Sequence, residues 1–178
     1  MLKKIFTAFL FLSIALSVTA QKLDNFTATL QPKDGTLSYL SVAQKKVYTP
    51  AEAKNNKAAI DLALVITKSG NRQVMEWYNL SGKDDKIPMD LRGTATGIAG
   101  LSFDKDQFEK CNTSQDLQRM TGHITNNSFA HYASITDDIE AGGVKYHCFL
   151  IQMENGKRAL MWLEAVDANN YKVSVKMQ

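Results

Sequence analysis

The chain has 178 residues, with 21 Lys and Arg against 18 Asp and Glu, 44% hydrophobic and 9% aromatic residues. That balance suits an ordinary globular domain with a core of its own. The interspersed, nearly cancelling charges give no electrostatic footprint for nucleic acid, and no basic amphipathic helix supports a membrane-surface role.

Met1-Leu2-Lys3-Lys4 is basic, residues 5–17 form an apolar run, and Val18-Thr19-Ala20 ends in small side chains. This is the pattern of a secretory signal peptide, 1–20, cleaved after Ala20. The run is shorter than the roughly 20 residues a membrane span needs, so no stable membrane insertion is expected after cleavage. Without a cysteine at the cleavage point, no lipid anchor is indicated. What remains is 178 − 20 = 158 residues, a single β-rich domain over 21–178, and without Lys3 and Lys4 its charge is 19 − 18 = +1. The expected location is outside the cytoplasm, periplasmic or extracellular.

Phe26, Ala28 and Leu30 alternate and predict a first strand, Pro32-Lys33-Asp34-Gly35 a turn, and 36–42 a returning strand. Thr49 with Glu52 three residues on is a capping box, with Pro50 at the first helical position, so a two-turn helix follows to Asn55-Asn56. Residues 58–67 put Ile60, Leu62, Leu64 and Ile66 on one face of a central strand. Ser69-Gly70-Asn71 turns the chain into 74–80, where Met75 and Trp77 oppose Val74, Glu76 and Tyr78. Residues 81–90 read as a loop. Between 91 and 124 the period changes: Ser102 or Asp104 caps a short helix through Cys111, and Ser114 caps another ending at Gly122. Residues 128–135 read as a strand, and an acidic loop through Gly142-Gly143 leads into the last segment.

Residues 143–178 predict a three-stranded meander. Asn155-Gly156 is a strong hairpin signal, read as a two-residue type I′ turn. That register sets Ile151 opposite Leu160, Phe149 opposite Trp162 and His147 opposite Glu164. Phe149 and Trp162 then share the core face with Tyr171, Val173, Val175 and Met177, while Lys172, Ser174 and Lys176 mark the last strand as an edge or one-sided strand protected by lysines.

The segment from Asp34-Gly35-Thr36 to Gly70, with Lys46-Val47-Tyr48-Thr49, Glu52-Ala53 and Ile60-Asp61-Leu62, resembles the first half of a family of small exported bacterial β-rich domains of unknown function. So does the ending, Asn155-Gly156-Lys157 and Tyr171-Lys172-Val173 to Gln178. The resemblance implies a β-rich fold and export, and it brings no catalytic residues.

Chemistry is sparse. Gly100-Leu101-Ser102-Phe103-Asp104 fails the G-x-S-x-G pattern. His123, His131 and His147 fall on different elements, and Asp104-x-Asp106-x-x-Glu109 lacks the remaining calcium-loop ligands, so no metal or cofactor is expected. His147 opposite Glu164, beside Tyr146, is the candidate ligand-binding group, against a plain cross-strand pair worth under about 1 kcal/mol. Cys111 and Cys148 could pair outside the cytoplasm, closing a loop of 148 − 111 = 37 residues worth roughly 3–4 kcal/mol; a free buried thiol is the alternative.

The expected fold is α+β, mostly β: a curved antiparallel sheet with the C-terminal meander and two or three short helices, or a β-sandwich. The expected function is an exported non-catalytic binding or interaction module for an unknown ligand or protein partner, a glycan among the candidates. The alternatives are a ligand carrier of barrel type and a small hydrolase built on His131 or His147.

Overall fold

The computed structural model describes residues 20–31, 37–69, 72–80, 95–135, 147–167 and 170–178. Residues 1–19 of the signal segment and Tyr146 lie outside them. Among the described residues ten strands form two antiparallel sheets: β1 (Asp24–Leu30), β2 (Ser38–Ser41), β3 (Lys46–Tyr48), β4 (Leu62–Ser69), β5 (Arg72–Asn79), β6 (Ala95–Leu101), β7 (Tyr132–Ser134), β8 (Cys148–Met153), β9 (Arg158–Ala165) and β10 (Tyr171–Met177). The first sheet has the order β1-β10-β9-β8-β6 and the second β3-β2-β4-β5-β7. Three short helices follow their caps: α1 (Pro50–Asn55), α2 (Lys105–Lys110) and α3 (Ser114–Thr121). The mostly-β α+β class, the meander and the helix count are as the sequence implies, and the strands divide between two sheets.

The main core lies between the sheets. Leu40, Leu62, Leu64 and Trp77 of the second sheet meet Phe149, Ile151, Met161, Val173 and Val175 of the first. Alternate residues of β9 turn the other way, so Leu160 and Trp162 join Cys148, Leu150, Phe108 and Leu117 in a separate cluster under α2 and α3. A third cluster, with Tyr39, Tyr48, Ile60, Ala63 and Tyr78, lies on the outer side of the second sheet.

Four expectations are corrected. Phe149 pairs with Met161 and Cys148 with Trp162, one residue from the predicted register, so Phe149 and Trp162 point to opposite sides of the sheet. The reason is the turn. Gly156 N–H donates to Met153 O at 3.0 Å and Met153 N–H to Lys157 O at 2.8 Å, which makes 154–156 a three-residue loop. Gly156 takes φ +81°, while Lys45 is the non-glycine with positive φ among the described residues. A type I′ turn needs both central residues there; a type I turn followed by one left-handed glycine needs only Gly156. Second, β10 is interior, paired to β9 and β1, and Lys176 is buried under α2. Third, β1 and β2 sit in different sheets rather than in one hairpin. Fourth, Ile60 precedes β4 and belongs to the outer cluster, not to the face of Leu62 and Leu64.

The β4–β5 hairpin keeps the expected faces, with Leu64 opposite Trp77. Asp104 caps α2 as read, whereas α3 is capped by Thr113 rather than Ser114. Only 132–134 of the predicted 128–135 strand is strand: a 3-10 helix occupies Asn126–Ser128, and Ala130 bridges Ile98 of β6.

Candidate functional site

Two surface regions concentrate chemistry. The first is a cleft of about 320 Å³ at the tip of the β8–β9 hairpin, lined by Asn126, Phe129, Gln152, Met153, Glu154 and Gly156. One wall is the hairpin, whose tip is set by Gly156. The other is the 3-10 helix and Phe129, which crosses β6 at Gly97. A Cβ at Gly97 would come within 2.5 Å of Phe129 Cβ, so the missing side chain is what lets the ring lie there.

Arg158 ties the two walls together. Its Nε donates to Gln152 Oε1 at 3.0 Å, Nη1 to Thr121 O at 3.1 Å and Nη2 to Ile124 O at 3.0 Å. Its guanidinium also lies 5.5 Å from the centre of the Phe129 ring. Guanidinium donors leave in a fixed planar fork, so three acceptors on two segments hold the C-terminal end of α3, the hairpin and the aromatic ring in one geometry.

The second region is where the sequence placed its candidates. With the register moved by one, the end of β8 faces Leu163 rather than Glu164: Leu163 N–H donates to His147 O at 2.8 Å, and His147 Nδ1 donates to Leu163 O at 3.0 Å. That bond fixes the tautomer and leaves Nε2 as the outward acceptor of the neutral ring. The exposed imidazole stacks on Trp162, with ring centres 5.3 Å apart and planes 20° apart, and Phe108 approaches the same indole at 5.9 Å. Glu164 is held by Lys105 Nζ of α2, at 3.2 and 3.3 Å to its two oxygens. So His147 and Glu164 have different partners, and the expected imidazole–carboxylate pair is replaced by an imidazole–indole stack beside an ion pair.

Cys111 and Cys148 are both free thiols, fully buried in the cluster beneath α2 and α3. Burial, with a smaller effect of Cys111, pushes the Cys148 thiol up to about 12. Burial also raises Cys111. Neither is therefore a nucleophile at neutral pH. Among the described residues no group of three or more His, Cys, Asp or Glu is placed to hold a metal ion, and no helix is long and apolar enough to cross a membrane.

The cleft residues escaped the sequence reading because they come from segments far apart in the chain, each unremarkable by itself. The one local signal was Asn126-Asn127-Ser128, an amide-rich stretch running into Phe129.

The fold and its surfaces define a class, a small mostly-β domain of two antiparallel sheets with open polar clefts. No family model and no curated protein matches the chain. Among solved structures it is similar to a DUF4466 family protein from Parabacteroides merdae, with a TM-score of 0.61 and 16% identity over 87% of this chain and 53% of that one. The chain thus spans about half the length of that protein, and likeness at this identity speaks for the fold alone. The likeness agrees with the β-rich fold that the sequence resemblance implied.

Proposed function

We propose that the chain is an exported, non-catalytic binding module that takes its ligand in the cleft between the hairpin tip and residues 126–129. The observation that carries this reading is the three-point Arg158 clamp: it ties Gln152 and the Phe129 ring to the end of α3 before any ligand arrives, at the edge of a cleft that Asn126 and Glu154 also line. Preorganisation of that kind lowers the ordering cost of binding. The carrier alternative calls for an enclosed cavity, whereas the space between the sheets is filled by Trp77, Phe149, Ile151 and their neighbours. A thermal-shift screen of the purified protein against glycans, lipids and divalent metals tests the reading. A ligand that stabilises the wild type should lose its effect with Asn126→Ala and Glu154→Gln. Equal shifts in wild type and variants would move the site elsewhere.

The specific observation favouring a second reading is the exposed His147 ring fixed on Trp162, with Glu164 beside it. If ligand is bound there, Glu164→Gln changes affinity while the melting temperature stays nearly constant. A variant that only loses stability would leave a plain structural corner.

Export rests on the 1–20 segment and carries a corollary: Cys111 and Cys148, free thiols in this structure, would pair once the chain reaches an oxidising compartment. Their placement in one buried cluster supports this, and burial means the bond forms during folding. The check is a mass comparison, with and without reduction before alkylation, on protein recovered from outside the cytoplasm.

A further inference from the structure

We infer that the ligand of the cleft is a neutral saccharide, an inference that rests on the binding reading above. The chemistry of the walls carries it. Two carboxamides, Asn126 and Gln152, and one carboxylate, Glu154, stand around the Phe129 ring, with Met153 and Gly156 completing the lining. Neither Lys nor Arg is among these six residues. The neighbouring cation, Arg158, already donates to Thr121 O, Ile124 O and Gln152 Oε1.

Three ligand classes can be compared against that lining. A phosphate, sulfate or carboxylate ligand would meet the Glu154 charge with no lining cation to answer it, and like charges brought together cost binding free energy. An apolar ligand would strip water from the amides and the carboxylate without replacing those hydrogen bonds. A neutral sugar satisfies both demands. Each of its hydroxyls donates and accepts, a carboxamide does the same, and an ionised carboxylate accepts from two hydroxyls at once. The apolar C–H face of a pyranose also has an aromatic ring to lie against. Phe129 is half-buried, set against Gly97 and with the Arg158 guanidinium over its ring, 5.5 Å from the centre. The volume, about 320 Å³, sits at the small end of ligand sites and fits a short stretch of saccharide.

The test is calorimetric titration of the purified protein with neutral oligosaccharides from glucan, mannan and galactan, and with heparin and polygalacturonate as anionic probes. Asn126→Ala and Glu154→Gln alter exposed side chains, so both variants should keep the wild-type melting temperature. Each should bind the neutral sugar about tenfold more weakly, the size expected for one lost hydrogen bond to a charged or oriented group, and His147→Ala should bind it unchanged. Neutral sugar bound equally by the cleft variants, or lost in His147→Ala alone, would overturn the assignment to this cleft. Preference for heparin or polygalacturonate would overturn the ligand class. So would silence toward every sugar while a non-sugar ligand binds and is lost in the cleft variants, although the binding reading itself would then stand. No ligand of any class sensitive to those variants would overturn both.

Discussion

Met161 and Trp162 are neighbours on β9, yet the layers they enter are held together by different means. Met161 faces the inter-sheet core, where it packs with Phe149, Leu64, Val173 and their neighbours. Trp162 faces the helix-covered side, where the apolar cluster is closed by charged groups reaching in from the sheet. Lys176 donates to Phe108 O at 2.9 Å, Glu109 O at 2.8 Å and Asn112 Oδ1 at 3.1 Å, ending α2 on β10. Arg158 does the same for the end of α3. Helices of six and eight residues are too short to hold themselves, so the sheet supplies partners for their terminal carbonyls. The core resists through volume; the periphery depends on a few buried polar contacts, and the candidate cleft lies at the edge of that periphery.

Phe149→Ala should break the core most severely. Truncating a fully buried ring costs about 4 kcal/mol, read as a loss in the denaturant midpoint with the slope preserved. A loss below about 1 kcal/mol would mean the core is not continuous across the sheets.

Asp61 sharpens the contrast through pH. It is fully buried at the start of β4, and its Oδ2 accepts from Val42 N–H at 2.6 Å and Ala43 N–H at 3.4 Å, bracing the β2–β3 turn in which Lys45 takes φ +56°. Burial raises its carboxyl to about 6, against the opposing pull of those two N–H groups. Between the unfolded value, 3.8, and 6 the native state holds a proton that the unfolded chain has lost, so stability falls as pH rises through that window. The expected change is about 3 kcal/mol. Asp24, Glu52 and Asp116 are lowered, chiefly by hydrogen bonds from Lys45, Thr49 and Thr113 respectively, and act in the opposite sense. They are common to wild type and Asp61→Asn, so the difference between the two proteins isolates Asp61. Parallel stability curves from pH 4 to 6 would refute this.

Lys176→Met keeps the apolar stem and removes the ammonium. We expect a loss of about 2 kcal/mol from the three ammonium hydrogen bonds removed at the end of α2, whose carbonyls keep Cys111 N–H and Asn112 Nδ2–H as donors. Hydrogen exchange should quicken at α2 while the β8–β9 ladder stays protected; uniform acceleration would mean the two layers are one cooperative unit. Gly156→Ala is the smallest change. Nothing lies near the added methyl, so the cost is backbone strain alone, about 1 kcal/mol. A cost near zero would argue against the glycine bulge and for a relaxed turn.

Local features were legible. The capping boxes at Thr49 and Asp104 and the faces of β4 and β5 follow from interactions within a few residues. The β8–β9 hairpin was visible too, but Asn-Gly serves both a two-residue and a three-residue loop, and choosing wrongly moved Trp162 to the opposite side. That single step separated His147 from Glu164 and removed the one polar pair the sequence had suggested. The cleft had no such signature, because Asn126, Gln152 and Glu154 converge only after β6, β8 and the 3-10 helix have packed.

By itself the sequence determined most of which segments extend and where the first two α-helices start, since side-chain period, caps and turn residues act over one or two turns of chain. Tertiary structure decided which sheet each strand joined, which side of β9 met the helices and which polar groups came together. Those outcomes depend on pairing free energies between distant segments and on a turn whose two conformations differ by one residue of register.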